Sequence, residues 1–226
     1  MSTILTLCKL NISLLLKDKL SFFWSLAVPS VMLFFNTNRI TSEYDLIYWW
    51  VYIVFNAFVY GVGLNALIEK DSGALSIIFS IKWVPVKFFM SLLLTQILYS
   101  LVCMGIFNLI PTFLFNFNYL RLTGLSLLAM LAILPVAFIG YNFTYLRNLY
   151  SSTIASICNM LIFVCFLALG FDTPINRFNP FIIFGRTMYD LIAGRFQISY
   201  LLISCLLILI SIPSIVNFRP LSKESR

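Results

Sequence analysis

The sequence predicts an all-α polytopic membrane protein with six transmembrane helices, and three observations favour this class. Hydrophobic residues make up 61% of the 226 residues and charged residues only 10%, and the mean hydropathy is +0.98. Several apolar runs approach the length of about 20 residues that a membrane-crossing helix needs. The basic residues are also distributed unevenly between alternate connecting segments. We therefore expect one transmembrane domain over residues 1–226.

The first predicted element is an amphipathic helix over residues 1–19. Polar residues recur every three or four positions, and leucines and isoleucine occupy most of the other side, although Asn11 breaks the pattern. Such a helix is expected to lie along the membrane surface among the lipid headgroups. The polar positions are Ser2, Thr6, Lys9, Ser13 and Lys17.

Six apolar runs follow, and each is predicted to cross the membrane. The first is short and contains Pro29, and the second begins with Tyr48, Trp49 and Trp50, whose rings suit the interface. The third is long and contains Pro111, which predicts a tilted or kinked helix. The predicted spans are Leu20–Ile40, Leu46–Ile68, Val86–Phe115, Leu122–Tyr141, Ser152–Phe171 and Tyr200–Val216.

The basic residues predict the orientation. If both termini are cytoplasmic, every lysine falls on the inner side, as the excess of positive charge on cytoplasmic loops requires. The basic residues on the outer side are then all arginines, namely Arg39, Arg121, Arg177, Arg186 and Arg195. This predicts a multi-pass protein of the plasma membrane with both termini in the cytoplasm.

Residues 172–197 precede the last span and alternate apolar patches with proline, glycine and asparagine. This pattern is too broken to cross a membrane alone, so it predicts a re-entrant or surface segment on the outer side. Asn179, Pro180 and Arg186 are candidates for an extracellular gate. The alternative is a segment that is only anchored at the interface by its positive charges.

Residues 69–85 predict a cytoplasmic helical elbow between the second and third spans. Leu75, Ile78 and Phe79 share one side of a helix there and could insert into a cleft on a soluble partner. The alternative is a solvated loop in which Gly73 ends a helix. The candidate coupling residues are Glu69, Lys70, Asp71, Ser72, Gly73, Leu75 and Ile78.

The elbow resembles that of the permeases of the type-two ABC exporter class. In that class an acidic residue, a glycine four positions later and a leucine two positions after it mark the elbow, and Glu69, Gly73 and Leu75 fit. The order of parts is similar too, from the amphipathic N-terminal helix to the Asn179-Pro180 pair before the last span.

The resemblance implies a homodimer or heterodimer of six-helix permeases in the lipid bilayer, each on a separate cytoplasmic ABC ATPase. That ATPase would hold ATP and magnesium, because this chain has no GxxxxGK[ST] phosphate loop. The cargo would be hydrophobic or amphipathic, such as a peptide toxin, an antimicrobial peptide or a drug. The alternatives are an exporter of a polysaccharide, teichoic acid or lipid-linked cargo, and a non-transporting membrane immunity protein.

Few polar side chains lie inside the predicted spans. Asn56, Asn65, Gln96 and Asn108 could line a substrate path, or could hydrogen-bond between helices instead. The chain has no histidine, and its acidic residues fall near predicted interfaces or loops. We therefore expect no catalytic residue and no metal site, and a transport subunit rather than an enzyme. The basic residues form no patch, so we expect no nucleic-acid partner.

Overall fold

The computed structural model describes residues 3–17, 19–146, 150–171, 174–195 and 197–220. Within these ranges every regular element is a helix, which confirms the all-α class. Five helical segments are long and apolar enough to cross a membrane, and they support a polytopic membrane protein. They are Glu43–Ser72, Pro85–Phe115, Tyr119–Tyr145, Ser151–Gly170 and Ile198–Val216.

Ten α-helices follow one another along the described residues, and short 3₁₀ turns and one π-helical segment, Val59–Leu64, join them. The α-helices are α1 (Thr3–Lys17), α2 (Lys19–Phe35), α3 (Ile47–Phe58), α4 (Asn65–Ser72), α5 (Ala74–Ile81), α6 (Pro85–Phe115), α7 (Tyr119–Tyr141), α8 (Ser151–Leu167), α9 (Pro180–Ile192) and α10 (Ile198–Val216).

Helix α1 packs against the beginning of α6. The Sγ of Cys8 donates to the carbonyl oxygen of Ser91 over 3.3 Å, and Nδ2 of Asn11 donates to Oγ of Ser91 over 3.3 Å. Asn11, which interrupts the sequence pattern, is thus a contact residue. The predicted polar positions Thr6, Lys9, Ser13 and Lys17 are exposed, whereas Ser2 lies outside the described residues.

Helix α2 is shorter than the first predicted span. It ends at Phe35 rather than at Ile40, because the chain turns into a 3₁₀ helix over Thr37–Arg39. The whole helix, Lys19–Phe35, has 17 residues, which at a rise of about 1.5 Å per residue is roughly 26 Å long. A full crossing needs about 30 Å. The first of the six spans therefore stays a prediction.

The segment from α3 through the π-helical turn to α4 forms the centre of the bundle. In its most apolar stretch 61% of the residues are buried, against 17% in the corresponding stretches of α8 and α10. Helices α7 and α6 make the most extensive contacts with it, and α9 and α2 pack against it as well. Helices α8 and α10 therefore lie at the periphery of this single chain.

Small residues allow the central segment to approach its neighbours closely. A Cβ atom added to Gly63 would lie 2.6 Å from the carbonyl oxygen of Gly140 in α7, so the two backbones are in direct contact. A Cβ added to Gly61 would lie 2.0 Å from Cδ of Gln96 in α6. Close contact at small residues is the usual way in which membrane helices gain packing energy.

Candidate functional site

The predicted elbow is a helix-turn-helix joined directly to two long helices. Helix α4 ends at Ser72, and Gly73 follows with φ 68° and ψ 3°, the left-handed conformation that glycine adopts without strain. The backbone N–H of Ser76 donates to the carbonyl oxygen of Gly73 over 3.0 Å and starts the short helix α5. Lys82 ends α5 in an extended conformation, and Pro85 opens α6.

One side of the elbow packs into the bundle itself. Leu75 is only 4% exposed and Phe79 only 7%, and the ring of Phe79 lies 6.2 Å from that of Phe88 and 5.7 Å from that of Phe218. Both residues belong to the face predicted to dock into a partner, and Ile78 beside them is half-buried. In the structure this face attaches the elbow to its own chain.

Residues 81–83, which we call the tip of the elbow, connect α5 to α6 and are all exposed. Ile81 is 83% exposed, Trp83 is 52% exposed, and Lys82 between them is exposed as well. The guanidinium of Arg219 lies 6.0 Å from the centre of the Trp83 ring, within the range of a cation–π contact. This tip was not predicted from the sequence, although Trp83 stands there beside Lys82 and two residues before Pro85.

Lys70 joins the elbow to the end of α7. Its side chain is 8% exposed, and its ammonium group donates to the carbonyl oxygen of Thr144 in the 3₁₀ turn after α7. Because a buried ammonium group without partners is strongly disfavoured, this contact restrains the position of α4. Of the other predicted coupling residues, Glu69 and Asp71 are half-buried and Ser72 is exposed.

Two of the four predicted path residues lie between helices. Asn108 is fully buried; its Oδ1 accepts a hydrogen bond from Nε1 of Trp50 over 2.7 Å, and its Nδ2 donates to Oγ of Ser126 over 3.3 Å. Gln96 is 5% exposed and fills the space beside Gly61. Asn108 therefore hydrogen-bonds between helices, and Gln96 packs between them.

The other two path residues lie on the partly exposed side of the central segment. Asn56 is half-buried, and its Nδ2 donates within its own helix, to the carbonyl oxygen of Tyr52 over 2.7 Å. One turn on, Oη of Tyr60 donates to Oδ1 of Asn159 in α8 over 2.6 Å. Asn65 is half-buried near the start of α4. Tyr52, Asn56 and Tyr60, together with Asn159, form what we call the polar stripe. The spacing of the first three at four residues could have indicated it in the sequence.

The Asn179-Pro180 pair starts a helix inside the bundle. Asn179 is 3% exposed; its Oδ1 accepts from the backbone N–H of Phe181 over 3.0 Å, and its Nδ2 donates to the carbonyl oxygen of Cys165 over 2.7 Å. The ring of Phe181 lies 5.2 Å from that of Phe55, about two turns along α3. Helix α9 thus begins inside the bundle, beside Phe55 of α3.

Helix α9 then returns to the end of the bundle opposite the elbow. The hydroxyl of Tyr189 donates to the carbonyl oxygen of Tyr44 over 3.1 Å. Burial raises the pKa of Tyr189, and the neighbouring Tyr48 and Asp45 raise it further, so this hydroxyl is a neutral donor at physiological pH. Arg186 is exposed on α9. This course fits a re-entrant segment, although residues 172, 173 and 196 of the predicted 172–197 segment lie outside the described residues.

Comparison with protein-family models, with curated proteins and with solved structures gives no match for this chain. Within the described ranges, no three side chains of His, Cys, Asp or Glu come together in a way that could hold a metal ion. The elbow and the polar stripe are therefore the features from which we infer a function.

Proposed function

We propose that this chain is the membrane-spanning permease subunit of an ATP-driven exporter of the type-two ABC class. In this proposal α1 lies along the inner surface of the plasma membrane, α2 and the five long segments cross it, and both termini are cytoplasmic. ATP and magnesium bind to a separate cytoplasmic ATPase, and the permease acts as a homodimer or with a similar subunit.

The observation that carries the proposal is the attachment of the elbow. Helix α5 is held to the bundle by Leu75 and Phe79, and it is joined to α4 by Gly73 alone and to α6 by the three residues 82–84, while its tip at residues 81–83 is exposed. A soluble partner that binds this tip would move α4 and α6 together, since both connections are short. Lys70 would carry the same displacement to α7 through Thr144.

The polar stripe supports a conduit along the partly exposed side of the central segment. Polar groups exposed to hydrocarbon are costly, and they usually face a cavity or another protein chain. Asn159 is exposed on α8 and bonds to Tyr60, close to the half-buried Asn56. We infer that this side faces a second permease subunit and that cargo passes between the two.

The surroundings of the stripe favour a hydrophobic or amphipathic cargo. Phe55, Phe166 and Phe181 form an aromatic cluster beside Tyr52, and the described part of the stripe contains amides and hydroxyls but no charged side chain. A peptide toxin, an antimicrobial peptide or a drug fits such a lining. The outward direction of transport follows from the family resemblance alone.

Co-purification of the chain with the ABC ATPases of its own genome tests the proposal. The informative variant is Ile81→Glu, which adds a charge to the exposed tip without touching the core. Leu120→Glu is the matched control, because Leu120 is 80% exposed at the opposite end of the bundle. We expect a stoichiometric ATPase with wild type and with Leu120→Glu, and at least a ten-fold loss with Ile81→Glu, equivalent to about 1.4 kcal/mol. If no ATPase binds to wild type, the chain is better described as a non-transporting immunity protein.

A further inference from the structure

A cavity of about 310 Å³ lies at the end of the bundle opposite the elbow. It is bounded by the ends of α2 and α8 and by the beginning of α3, with Met32, Trp49, Phe166 and Leu167 among its walls. Its size is at the lower end of the range found for small-molecule sites, about 300–1,000 Å³. None of the residues of the elbow or of the polar stripe lines it, although Phe166 also belongs to the aromatic cluster beside that stripe.

One wall of the cavity carries a hydrogen-bond donor for which the described residues offer no acceptor. Nε1 of Trp49 is buried and has no acceptor among the described residues, although the Trp49 side chain lines the cavity. Buried N–H groups nearly always have an acceptor, because leaving one unpaired forfeits its hydration. An oxygen atom of a bound molecule would provide the acceptor.

The charges at the cavity favour an anionic oxygen. Arg39 lines it and is exposed, so its guanidinium can reach a bound group. Asp45 lines it as well, but its Oδ2 already accepts from the backbone N–H of Ser42 over 2.8 Å and from N–H and Oγ1 of Thr41 over 2.9 and 3.2 Å. One oxygen of this carboxylate is thus taken up by its own turn, whereas the Arg39 guanidinium and the Trp49 N–H of the same lining are left for a bound group.

The surroundings of the cavity point to a ligand that arrives from the bilayer. The side chains next to its walls on α2 and after α8 are large, apolar and exposed: Phe34 is 54% exposed, Phe35 is 81% and Phe171 is 67%. In a membrane-spanning chain such a surface contacts hydrocarbon. A molecule with an apolar chain can therefore reach the cavity without crossing water.

We propose that this cavity binds a single-chain anionic amphiphile, with its head oxygens at Trp49 and Arg39 and its first methylene groups against Met32 and Leu167. The head is a carboxylate or a phosphate, as in a fatty acid or a lysophospholipid. This site does not depend on the export function, since it would be occupied with or without an ATPase.

Binding of radiolabelled dodecanoate to the full chain in phosphatidylcholine nanodiscs tests the proposal, with the uptake of empty nanodiscs subtracted. We expect saturable binding that weakens about ten-fold in Trp49→Phe and in Arg39→Gln, as loss of one hydrogen bond to a charged group predicts. Trp83→Phe and Arg177→Gln are the matched controls, because both side chains are exposed and neither lines the cavity. All four variants are first compared with wild type by thermal unfolding.

Competition then defines the head group. Displacement by dodecyl phosphate, but not by dodecanol or dodecyltrimethylammonium, is the expected result and identifies a general anion site; failure of dodecyl phosphate to compete restricts the site to carboxylates. Non-saturable uptake would overturn the proposal. Equal competition by the cationic amphiphile, or equal affinity in Arg39→Gln and Arg177→Gln, would overturn it as well.

Discussion

Nε1 of Trp50 donates to Oδ1 of Asn108 over 2.7 Å, and this hydrogen bond joins the central segment to α6 inside the most buried part of the bundle. Ser126 of α7 accepts from the same amide over 3.3 Å. One side chain therefore links three long helices. A residue that could have belonged to a transport path is instead part of the scaffold around which such a path would form.

Replacement of this amide by a similar apolar side chain is expected to destabilise the protein. Asn108→Leu leaves the buried N–H of Trp50 without an acceptor, and we expect the free energy of unfolding to fall by about 1–3 kcal/mol. Asn56→Leu is the control, because Asn56 donates within its own helix and is half-buried. Unfolding in mixed micelles, followed by tryptophan fluorescence, measures both. An equal loss in the two variants would contradict the assignment.

The backbone contact between Gly63 and Gly140 predicts a sharp difference between two glycine substitutions. Gly63→Ala places a Cβ 2.6 Å from a carbonyl oxygen that cannot rotate away, so α7 must shift, at a cost of about 1–3 kcal/mol. Gly124→Ala, in α7, meets no atom within 4 Å and removes a poor helix former. We expect a lower unfolding temperature only for Gly63→Ala. A similar temperature for both would mean that the two segments do not touch.

The polar stripe predicts a water-accessible side of the central segment. In a background without native cysteines, Asn56→Cys is expected to react with a membrane-impermeant maleimide in the assembled transporter. Met160→Cys is expected to stay unlabelled, because Met160 is 71% exposed on α8 in an apolar stretch that would face lipid. Mass spectrometry gives the labelled fraction at each position. Labelling of Met160→Cys alone would place the conduit elsewhere.

Lys70 is predicted to transmit motion rather than to bind the partner. Lys70→Met keeps most of the side-chain volume but removes the contact with Thr144. We expect the free energy of unfolding to change by less than about 1 kcal/mol, because the cost of burying the charge disappears as well. The ATPase should still bind, yet the labelling of Asn56→Cys should no longer respond to ATP. Lys82→Met, at the exposed tip, should instead weaken ATPase binding. A retained ATP response in Lys70→Met would exclude the proposed link.

The long apolar helices and the elbow were predictable because both leave local signals. Runs of apolar residues mark all five long segments to within four residues at each end, and Gly73 and Pro85 mark the turn and the start of α6. The end of α2 was predicted too late, because the chain from Asn36 to Ile40 is polar enough to turn but carries no proline or glycine that would indicate the end of a helix.

The faces of the elbow could not be assigned from the sequence. Leu75 and Phe79 have the same periodicity whether they dock into a partner or into their own bundle, and only the position of Phe218, far along the chain, decides which. The sequence likewise does not distinguish Asn56 from Asn108. Asn108 is buried and accepts a hydrogen bond from Trp50, whereas Asn56 is half-buried and donates within its own helix, and this difference is a property of tertiary packing.

Photo-crosslinking at the tip of the elbow tests the central claim most directly. A benzophenone amino acid at position 81 is compared with the same residue at position 120, the exposed site at the opposite end, in cells that express the chain at native levels. We expect position 81 to capture a protein that carries the GxxxxGK[ST] phosphate loop, in an amount that changes when ATP is depleted, and position 120 to capture none. Capture of no such ATPase at position 81, or equal capture at both positions, would contradict the coupling of this elbow to ATP hydrolysis.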